Sequence, residues 1–428
     1  MIWAQSPAEV RVPATSANLG PGFDAFGLAL AMYDRLEAGV TSGGLAIEVR
    51  GEGEETAGAG EKHLVVRAMR AAFDVLGGQP AGLTLRCANA IPHGRGLGSS
   101  AAAVVSGILA ARALVADGAD RLPGAGVLRL AVDLEGHPDN VAACLAGGLT
   151  IAWHSGVAGA GGAGAGLVPD AGVVPGDGGA AGAGLVPDPG VVPGDGGAAG
   201  DGGAAGDGGA AGDGRGPVPD GPGGGHVRLL RLDVLDSITA VACVAPTAMA
   251  TSEARCALPA SVPHADAAAN AARSALLFAA LTRDPAVLFD ATEDYLHQRY
   301  RAAAMPQTAD LLARLRRARV AAVVSGAGPS VLALAPADDR PGLAIVDSIA
   351  GETGIAWRVT PLKVDRQGAT VEPGGTGAPQ PGAARQGRST NQAPEPGVVP
   401  AGGSTQGRVA DPATHGPQSR ECRGLLWC

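Results

Sequence analysis

The chain has little of what marks several common function classes. Its 6 cysteines are scattered. Cys87, Cys144, Cys243 and Cys256 show no metal-ligand spacing, and Cys422 and Cys428 sit in a Gly/Pro-rich tail. Neither a disulfide framework nor a zinc site follows, so a reducing cytoplasm is the expected home. No stretch approaches the roughly 18 apolar residues of a membrane span, so no membrane partner is expected. The first residues carry no basic segment followed by an apolar run, so no secretory leader is expected. Positive charge is in deficit, with 32 Lys and Arg against 41 Asp and Glu and a net charge of -9. That excludes an extended nucleic-acid surface but leaves room for a locally basic pocket for phosphates. Aromatics are 3% of the residues, and Trp3, Trp153, Trp357 and Trp427 show no nucleotide-stacking pattern.

What is abundant is glycine and proline, 69 and 32 of the 428 residues, and they cluster. Residues 155–225 are nearly all Gly, Ala, Asp, Pro and Val. They hold a copied unit, Leu167-Val-Pro-Asp-Ala-Gly-Val-Val-Pro-Gly-Asp177 and Leu185-Val-Pro-Asp-Pro-Gly-Val-Val-Pro-Gly-Asp195, followed by a Gly-Asp-Gly-Gly-Ala-Ala repeat. The Asp-Gly-Gly spacing faintly resembles calcium-binding β-helix repeats, but the apolar stacking positions are missing. Residues 372–428 are again Gly/Pro/Gln/Ser-rich. Neither segment buries enough apolar area to offset chain entropy, and both are expected to be disordered. Without them roughly 300 residues remain, enough for two packed domains.

The segment that carries chemistry is Ile91-Pro-His-Gly-Arg-Gly-Leu-Gly-Ser-Ser-Ala-Ala-Ala103. Gly94, Gly96 and Gly98 alternate, then Ser99 and Ser100 open a run of good helix formers. The first turn of such a helix presents unpaired N–H groups and the positive end of the dipole, a combination that binds phosphate. No Lys follows the last glycine, so this is not G-x-x-x-x-G-K-[ST], and the spacing does not fit G-x-G-x-x-G.

Along the rest of the chain, strands are expected at 10–14, 26–30, 34–41, 45–51, 83–88, 148–153 and 227–234, the last two joined by the low-complexity insert. Residues 63–77 have helical spacing, with Leu64, Ala68, Ala71, Ala72 and Val75 on one face. Helices are also expected at 99–116 and 126–135, with His137-Pro-Asp-Asn140 opening another. A second domain begins near 238. It has strands at 239–246, 321–325, 330–335, 357–364 and 368–371, and helices at 265–282, 285–295 and 308–317.

Four motifs together resemble the GHMP kinases: Val12-Pro-Ala-Thr-Ser-Ala-Asn-Leu-Gly-Pro-Gly-Phe-Asp24, the loop from Pro92 to Ala103, Glu135-Gly-His-Pro-Asp-Asn140, and Val324-Ser-Gly-Ala-Gly-Pro-Ser-Val331. Within that superfamily the wording is most similar to the homoserine kinase branch. Thr251-Ser-Glu-Ala-Arg255 and His297-Gln-Arg-Tyr-Arg301 fit the same pattern. The resemblance covers about 8–371 apart from the insert. It implies an α+β, two-domain GHMP kinase fold, with an N-terminal ribosomal-S5-domain-2-like part (1–154 plus 226–237) and a C-terminal ferredoxin-like α/β sandwich (238–371). The reaction it implies is transfer of phosphate from ATP to the hydroxyl of L-homoserine, a step towards threonine. The partner is then a small molecule, with a homodimer allowed.

The resemblance also distributes roles. Pro92, His93, Gly94, Arg95, Gly96, Leu97, Gly98, Ser99, Ser100, Ala101 and Ala102 would wrap the triphosphate, with Gly326 and Gly328 brought close to it. Ser100 and Glu135 would hold Mg²⁺, which prefers hard oxygen ligands. Asp24, beside Asn18, suits the ammonium or hydroxyl end of an amino-acid alcohol. Arg255 and Arg301 suit its carboxylate, because a planar guanidinium grips carboxylate bidentately. His137 would be a neighbouring polar contact, and His63 would start a helix flanking adenine. Several relatives place Asp where this chain has Asn140, and Asn accepts no proton at neutral pH. The catalytic expectation is therefore positioning of the hydroxyl by Asn18 and Asn140, late passage of its proton to the γ-phosphate, and Asp24 as a lesser candidate for a base. Two rival readings stand beside this one: a GHMP kinase acting on mevalonate or a sugar, and a non-catalytic binding protein on the same fold.

Overall fold

Buried and solvent-facing residues alternate along the first strand, β1 (Ala8–Ala17), until Val12, beyond which every side chain is buried. The alternation is that of a strand with one wet face; its loss marks entry into the centre of the molecule. The structure, a computed structural model, describes residues 1–155, 226–336 and 340–373. Most of the two segments expected to be disordered lies outside the described residues. Their inner edges are ordered, because strands run to Ser155 and to Pro373.

β1 pairs antiparallel with one long strand, β2 (Phe26–Thr41), where the sequence predicts two. A register shift at Pro13/Ala14 accommodates the extra length, and a bulge is where a strand tolerates proline. β3 (Gly44–Gly51) leads through a 3-10 segment (Glu54–Lys62) to helix α1 (Leu64–Leu76), and β4 (Gly82–Asn89) returns parallel to β3 and antiparallel to β2. Four helices follow: α2 (Ser99–Ala113), α3 (Gly118–Arg121), α4 (Gly124–Glu135) and α5 (Pro138–Ala146). The hairpin of β5 (Leu149–Ser155) and β6 (His226–Leu232) then adds to the Phe26–Leu28 end of β2.

The second sheet has the order β10 (Arg358–Leu362), β7 (Ile238–Val244), β9 (Val331–Pro336), β8 (Ala321–Val324) and is antiparallel throughout. It begins with β7 (Ile238–Val244). Helices α6 (Thr251–Cys256), α7 (His264–Thr282), α8 (Leu288–Ala291), α9 (Gln298–Arg301) and α10 (Pro306–Arg317) precede β8 (Ala321–Val324) and β9 (Val331–Pro336). Helix α11 (Arg340–Glu352), which the sequence pattern does not announce, leads to β10 (Arg358–Leu362). The last strand, β11 (Thr370–Pro373), pairs with β1 in the first sheet rather than closing the second. Residues 285–295 do not form one helix: a 3-10 turn and α8 end at Ala291, where the Thr292 hydroxyl donates back to the Leu288 and Phe289 carbonyls.

Alternate residues of the second sheet face opposite ways, and both faces are covered. Val241, Cys243, Val331 and Ala333 pack with Leu311, Leu315, Val346 and Ala350. Ala240, Ala242, Leu332 and Leu334 join the large core shared with the first sheet. Within that core α2 is apolar on nearly all sides and buries residues from Ala101 to Ala111. It lies so close to α1 that a Cβ on Gly107 would sit 2.6 Å from the Val65 carbonyl oxygen. The buried face of α1 is Val65, Val66, Ala68, Met69, Ala72, Phe73 and Leu76; it keeps Ala68 and Ala72 of the expected stripe but is rotated away from Val75, which is exposed.

This packing predicts opposite outcomes for one substitution at two helical glycines. Gly107→Ala should lower stability by about 1–3 kcal/mol through overpacking. Gly351→Ala meets no atom within 4 Å and should raise it by up to about 1 kcal/mol through helix propensity. Urea midpoints of the two variants check this; equal shifts would contradict the α1–α2 contact.

Candidate functional site

The glycine loop takes its shape from how tightly the chain passes itself. Gly94, Gly96 and Gly98 have φ of 63°, 75° and 71°, the left-handed region that L side chains avoid. A Cβ on Gly96 would lie 2.2 Å from the Ser325 carbonyl oxygen, and one on Gly98 would lie 1.9 Å from Thr15 Oγ1. The glycines therefore answer to the neighbouring protein backbone as well as to any ligand. Ser325 Oγ donates to the Gly96 carbonyl (2.6 Å), and Thr15 N donates to the Leu97 carbonyl (3.0 Å). The loop is thus clamped between β1 and the turn after β8.

Gly98 is the N-cap of α2 and has no side chain to cap with. Ser99 and Ser100 fall inside the helix, so they do not cap it either. The N–H groups of Gly98, Ser99, Ser100 and Ala101 consequently donate no hydrogen bond among the described residues. They open onto a cleft lined by Gly94, Gly96, Gly98, Ser99, Ser100, Gly326 and Gly328 on the loop side. Other members of the expected loop set face elsewhere. Leu97, Ala101 and Ala102 are fully buried side chains, and Pro92 is buried too. Arg95 donates to the Ala245, His93 and Pro246 carbonyls. His93 lines a second pocket.

The other wall holds charge. Asn18, Asp24, Glu135, His137, Asn140, Arg255 and Arg301 all line the same cleft, together with Asp139, Met249 and Thr251, which sequence reasoning missed. Asp24 and Arg255, expected at opposite ends of one ligand, pair with each other through two hydrogen bonds of 2.7 and 3.2 Å. Arg301 is 1% exposed, yet no carboxylate comes within 4 Å of it in a salt bridge among the described residues. Burial, then repulsion from Arg255, lowers its pKa. A buried cation without its own anion is costly unless a ligand supplies one.

Asn18 (φ 68°) donates to the Gly326 carbonyl (2.8 Å) and accepts from Asp24 N (2.9 Å), so its amide chiefly ties two loops together. Asn140 accepts from Thr15 Oγ1 (2.8 Å), and its NH₂ makes one long bond to Asp139 Oδ1 (3.4 Å), which leaves one N–H for the cleft. It lies in the first turn of α5, which rests directly on Gly27 of β2; a Cβ on Gly27 would be 2.2 Å from the Asp139 carbonyl oxygen. His137 is the N-cap residue of α5 without capping through its side chain, and burial lowers its pKa. The Ser100 hydroxyl donates to the Glu135 carboxylate, whose pKa burial raises. No cluster of three or more His, Cys, Asp or Glu side chains is placed to hold a metal among the described residues. Two hard oxygens at a phosphate loop nonetheless fit Mg²⁺, which takes few protein ligands and completes its shell with water and phosphate.

A second pocket of about 370 Å³ shares Ser99 and Ser100 with the cleft and is lined by Asp34, Lys62, His63, Asn89 and His93. His63 is the N-cap of α1, and its buried Nδ1 has no hydrogen-bond partner among the described residues. Asp34 accepts from the Ala90 and Ile91 N–H groups (2.7 and 2.9 Å), while burial pushes its carboxyl up to about 6.

Asp139 is 3% exposed, and burial pushes its carboxyl up to about 7. The folded state holds that proton more tightly than the unfolded chain, so this group's contribution to stability is present at low pH and is lost as pH rises from about 4 to about 7. Asp139→Asn removes the loss. Its stability advantage over the parent should be larger at pH 8 than at pH 5, by on the order of 2 kcal/mol. Urea unfolding at the two pH values checks this; a pH-independent difference would show that Asp139 is ionised at its ordinary pKa.

Comparison with known proteins completes the picture. Residues 63–148 match the N-terminal domain of the GHMP kinases, and residues 265–347 match the GHMP kinase C-terminal domain. The homoserine kinase of Streptomyces coelicolor is 46% identical over 364 residues, spanning 85% of this chain and 94% of that protein. The homoserine kinase of Streptomyces avermitilis is 45% identical over 364 residues, spanning 85% and 95%. In fold, the crystal structure of homoserine kinase from Cytophaga hutchinsonii superposes with a TM-score of 0.61 at 21% identity, covering 87% of this chain and 99% of that one. The motifs, the α/β architecture and these likenesses agree: the chain belongs to the homoserine kinase family of the GHMP kinases.

Proposed function

We propose that this chain is a homoserine kinase, which transfers the γ-phosphoryl group of ATP to the hydroxyl of L-homoserine and yields O-phospho-L-homoserine and ADP. The observation that carries the reading is the uncapped start of α2 opening onto the same cleft as the Asp24–Arg255 pair and unpaired Arg301. One wall suits polyphosphate and the other suits an amino acid. The amide hydrogens of Gly98 to Ala101 hold the phosphates, and the adjoining pocket of His63, Lys62 and Asn89 takes the nucleoside. Ser100 and Glu135 would hold Mg²⁺, which supplies neutralisation of phosphate charge.

Homoserine brings an ammonium and a carboxylate, so the Asp24–Arg255 pair exchanges partners on binding. Asp24 takes the ammonium, while Arg255 and Arg301 take the carboxylate. Asn18 keeps the Asp24 loop against the Gly326 turn. The Asn140 NH₂ donates to the hydroxyl oxygen and turns it towards the phosphate wall. Phosphoryl transfer with a loose transition state needs mainly this positioning.

Late passage of the hydroxyl proton to a phosphate oxygen is the reading with no side-chain base. The Asp139 carboxyl favours a second reading, in which it accepts that proton. It lines the cleft beside Asn140 and is tuned near neutral pH. The nucleotide part would span 1–154 plus 226–237, and the part from 238 to 371 would complete the acceptor site. The thiols of Cys87, Cys144 and Cys243, buried and not in disulfides, suit a reducing cytoplasm, where threonine synthesis would use the enzyme.

An ADP-release assay with homoserine, mevalonate, galactose and shikimate should show turnover with homoserine alone; turnover with any of the others instead would overturn the assignment. Asp139→Asn should lower kcat by about 10²–10⁴-fold if the carboxyl is the proton acceptor. A kcat within about tenfold of the parent returns the proton to phosphate.

A further inference from the structure

Among the described residues, the group that holds Arg301 in place is a histidine to which no role has so far been given. His297 is 0% exposed and makes two different hydrogen bonds. Its Nε2 lies 2.9 Å from the Gly20 carbonyl oxygen, and its Nδ1 lies 3.0 Å from Arg301 Nη1. Only one neutral tautomer serves both: Nε2–H donates to Gly20, and the Nδ1 lone pair accepts from the guanidinium. Burial lowers the histidine's pKa, which keeps that lone pair available beside a cation.

The ring is itself fixed from two sides. Phe23 stacks on it, with centroids 5.1 Å apart at 23°, and the same Phe23 ring lies 5.6 Å from Arg301 Cζ. The carboxylate of Asp294, fully buried, accepts the backbone N–H groups of Leu296, His297 and Gln298. It thereby sets where α9 begins, and with it both His297 and Arg301. Gly20 belongs to the loop that carries Asn18 and Asp24. One imidazole therefore spans the cation and the loop bearing the opposite charge.

We infer that His297 is a positioning residue for substrate recognition, which locks the Arg301 guanidinium against the Asn18–Asp24 loop so that the enzyme selects an acceptor carrying an α-carboxylate. The inference rests on the assignment of Arg301 to the homoserine carboxylate. Arg301 Nε is held by the Ala254 carbonyl (3.2 Å) and Nη1 by His297, while Nη2 makes no hydrogen bond within the described protein and is left for the ligand. Removing the imidazole leaves Nη1 only its long bond to the Gly326 carbonyl (3.4 Å) and lets the guanidinium turn from the carboxylate. The phosphate wall is untouched, because none of its groups bonds to His297.

The test compares homoserine with 3-aminopropan-1-ol, which keeps the hydroxyl and amine but lacks the carboxylate, in the full-length chain. His297→Leu should raise KM for homoserine by about 10–100-fold, with KM for ATP and kcat/KM for aminopropanol changed by no more than about threefold. His297→Asn presents an acceptor near the Nδ1 position and should restore most of the homoserine KM. His297→Gln keeps a donor for Gly20 but not that acceptor and should resemble Leu, so the Asn/Gln pair decides the matter even if Leu does not fold. An unchanged homoserine KM in Gln and Leu overturns the inference. So does an equal loss towards homoserine, aminopropanol and ATP, which is the mark of a general packing role. If the parent protein makes no phosphohomoserine at all, the functional assignment fails first, and that outcome is separate from either of these.

Discussion

The closeness of one backbone crossing governs the site. The loop at Gly96 lies against the turn at Ser325 with no space for a Cβ, and the Ser325 hydroxyl bonds the Gly96 carbonyl. The crossing joins the segment leading into α2 to the strand pair of the second sheet. Asn18 and Arg301 reach the same turn at Gly326, through bonds of 2.8 and 3.4 Å. The start of α2, Arg301 and the loop bearing Asp24 are therefore referenced to one short stretch of backbone. The glycine-rich and the charged walls of the cleft face each other at fixed separation because neither is free to drift, which is what the proposed transfer between two ligands needs.

Charge is the second constraint. Burying Asp139 and Arg301 works against folding, since each would be better solvated outside. The compensations are local: Asp139 receives the Asn140 N–H at 2.7 Å, and Arg301 is bonded by His297 and the Ala254 carbonyl. On the proposed function, the carboxylate of the amino-acid substrate supplies the anion that Arg301 lacks. Stability has been traded for a site already arranged for an ion, a balance common at active sites.

The glycine loop and the helix it opens were legible in the sequence because glycine at alternate positions before two serines has few structural meanings, and the motif order named the family. The α1 stripe was not. Its sequence is apolar at most positions from Leu64 to Leu76, so several stripes satisfy a 3.6-residue period, and only contact with α2 selects one. The break at Thr292 came from a hydroxyl bonding backwards to carbonyls, a competition that a hydrophobic pattern does not register. The pairing of β11 with β1 is a long-range choice that strand propensity does not encode. Asp139 and His297 were overlooked for a related reason. Each stands within a motif beside a residue with an obvious role, and its own significance appears only with burial and hydrogen-bond partners.

The β5–β6 hairpin carries one more implication. Its ladder runs in register from Leu149 opposite Leu232 to Ser155 opposite His226, so the chain leaves and re-enters the sheet at facing positions. Antiparallel partners at such a distance are what a tight two-residue reverse turn joins in other proteins. The sheet therefore places no geometric demand on what lies between residues 155 and 226. An abbreviated enzyme, stitched across that gap, is already implicit in the strand pairing.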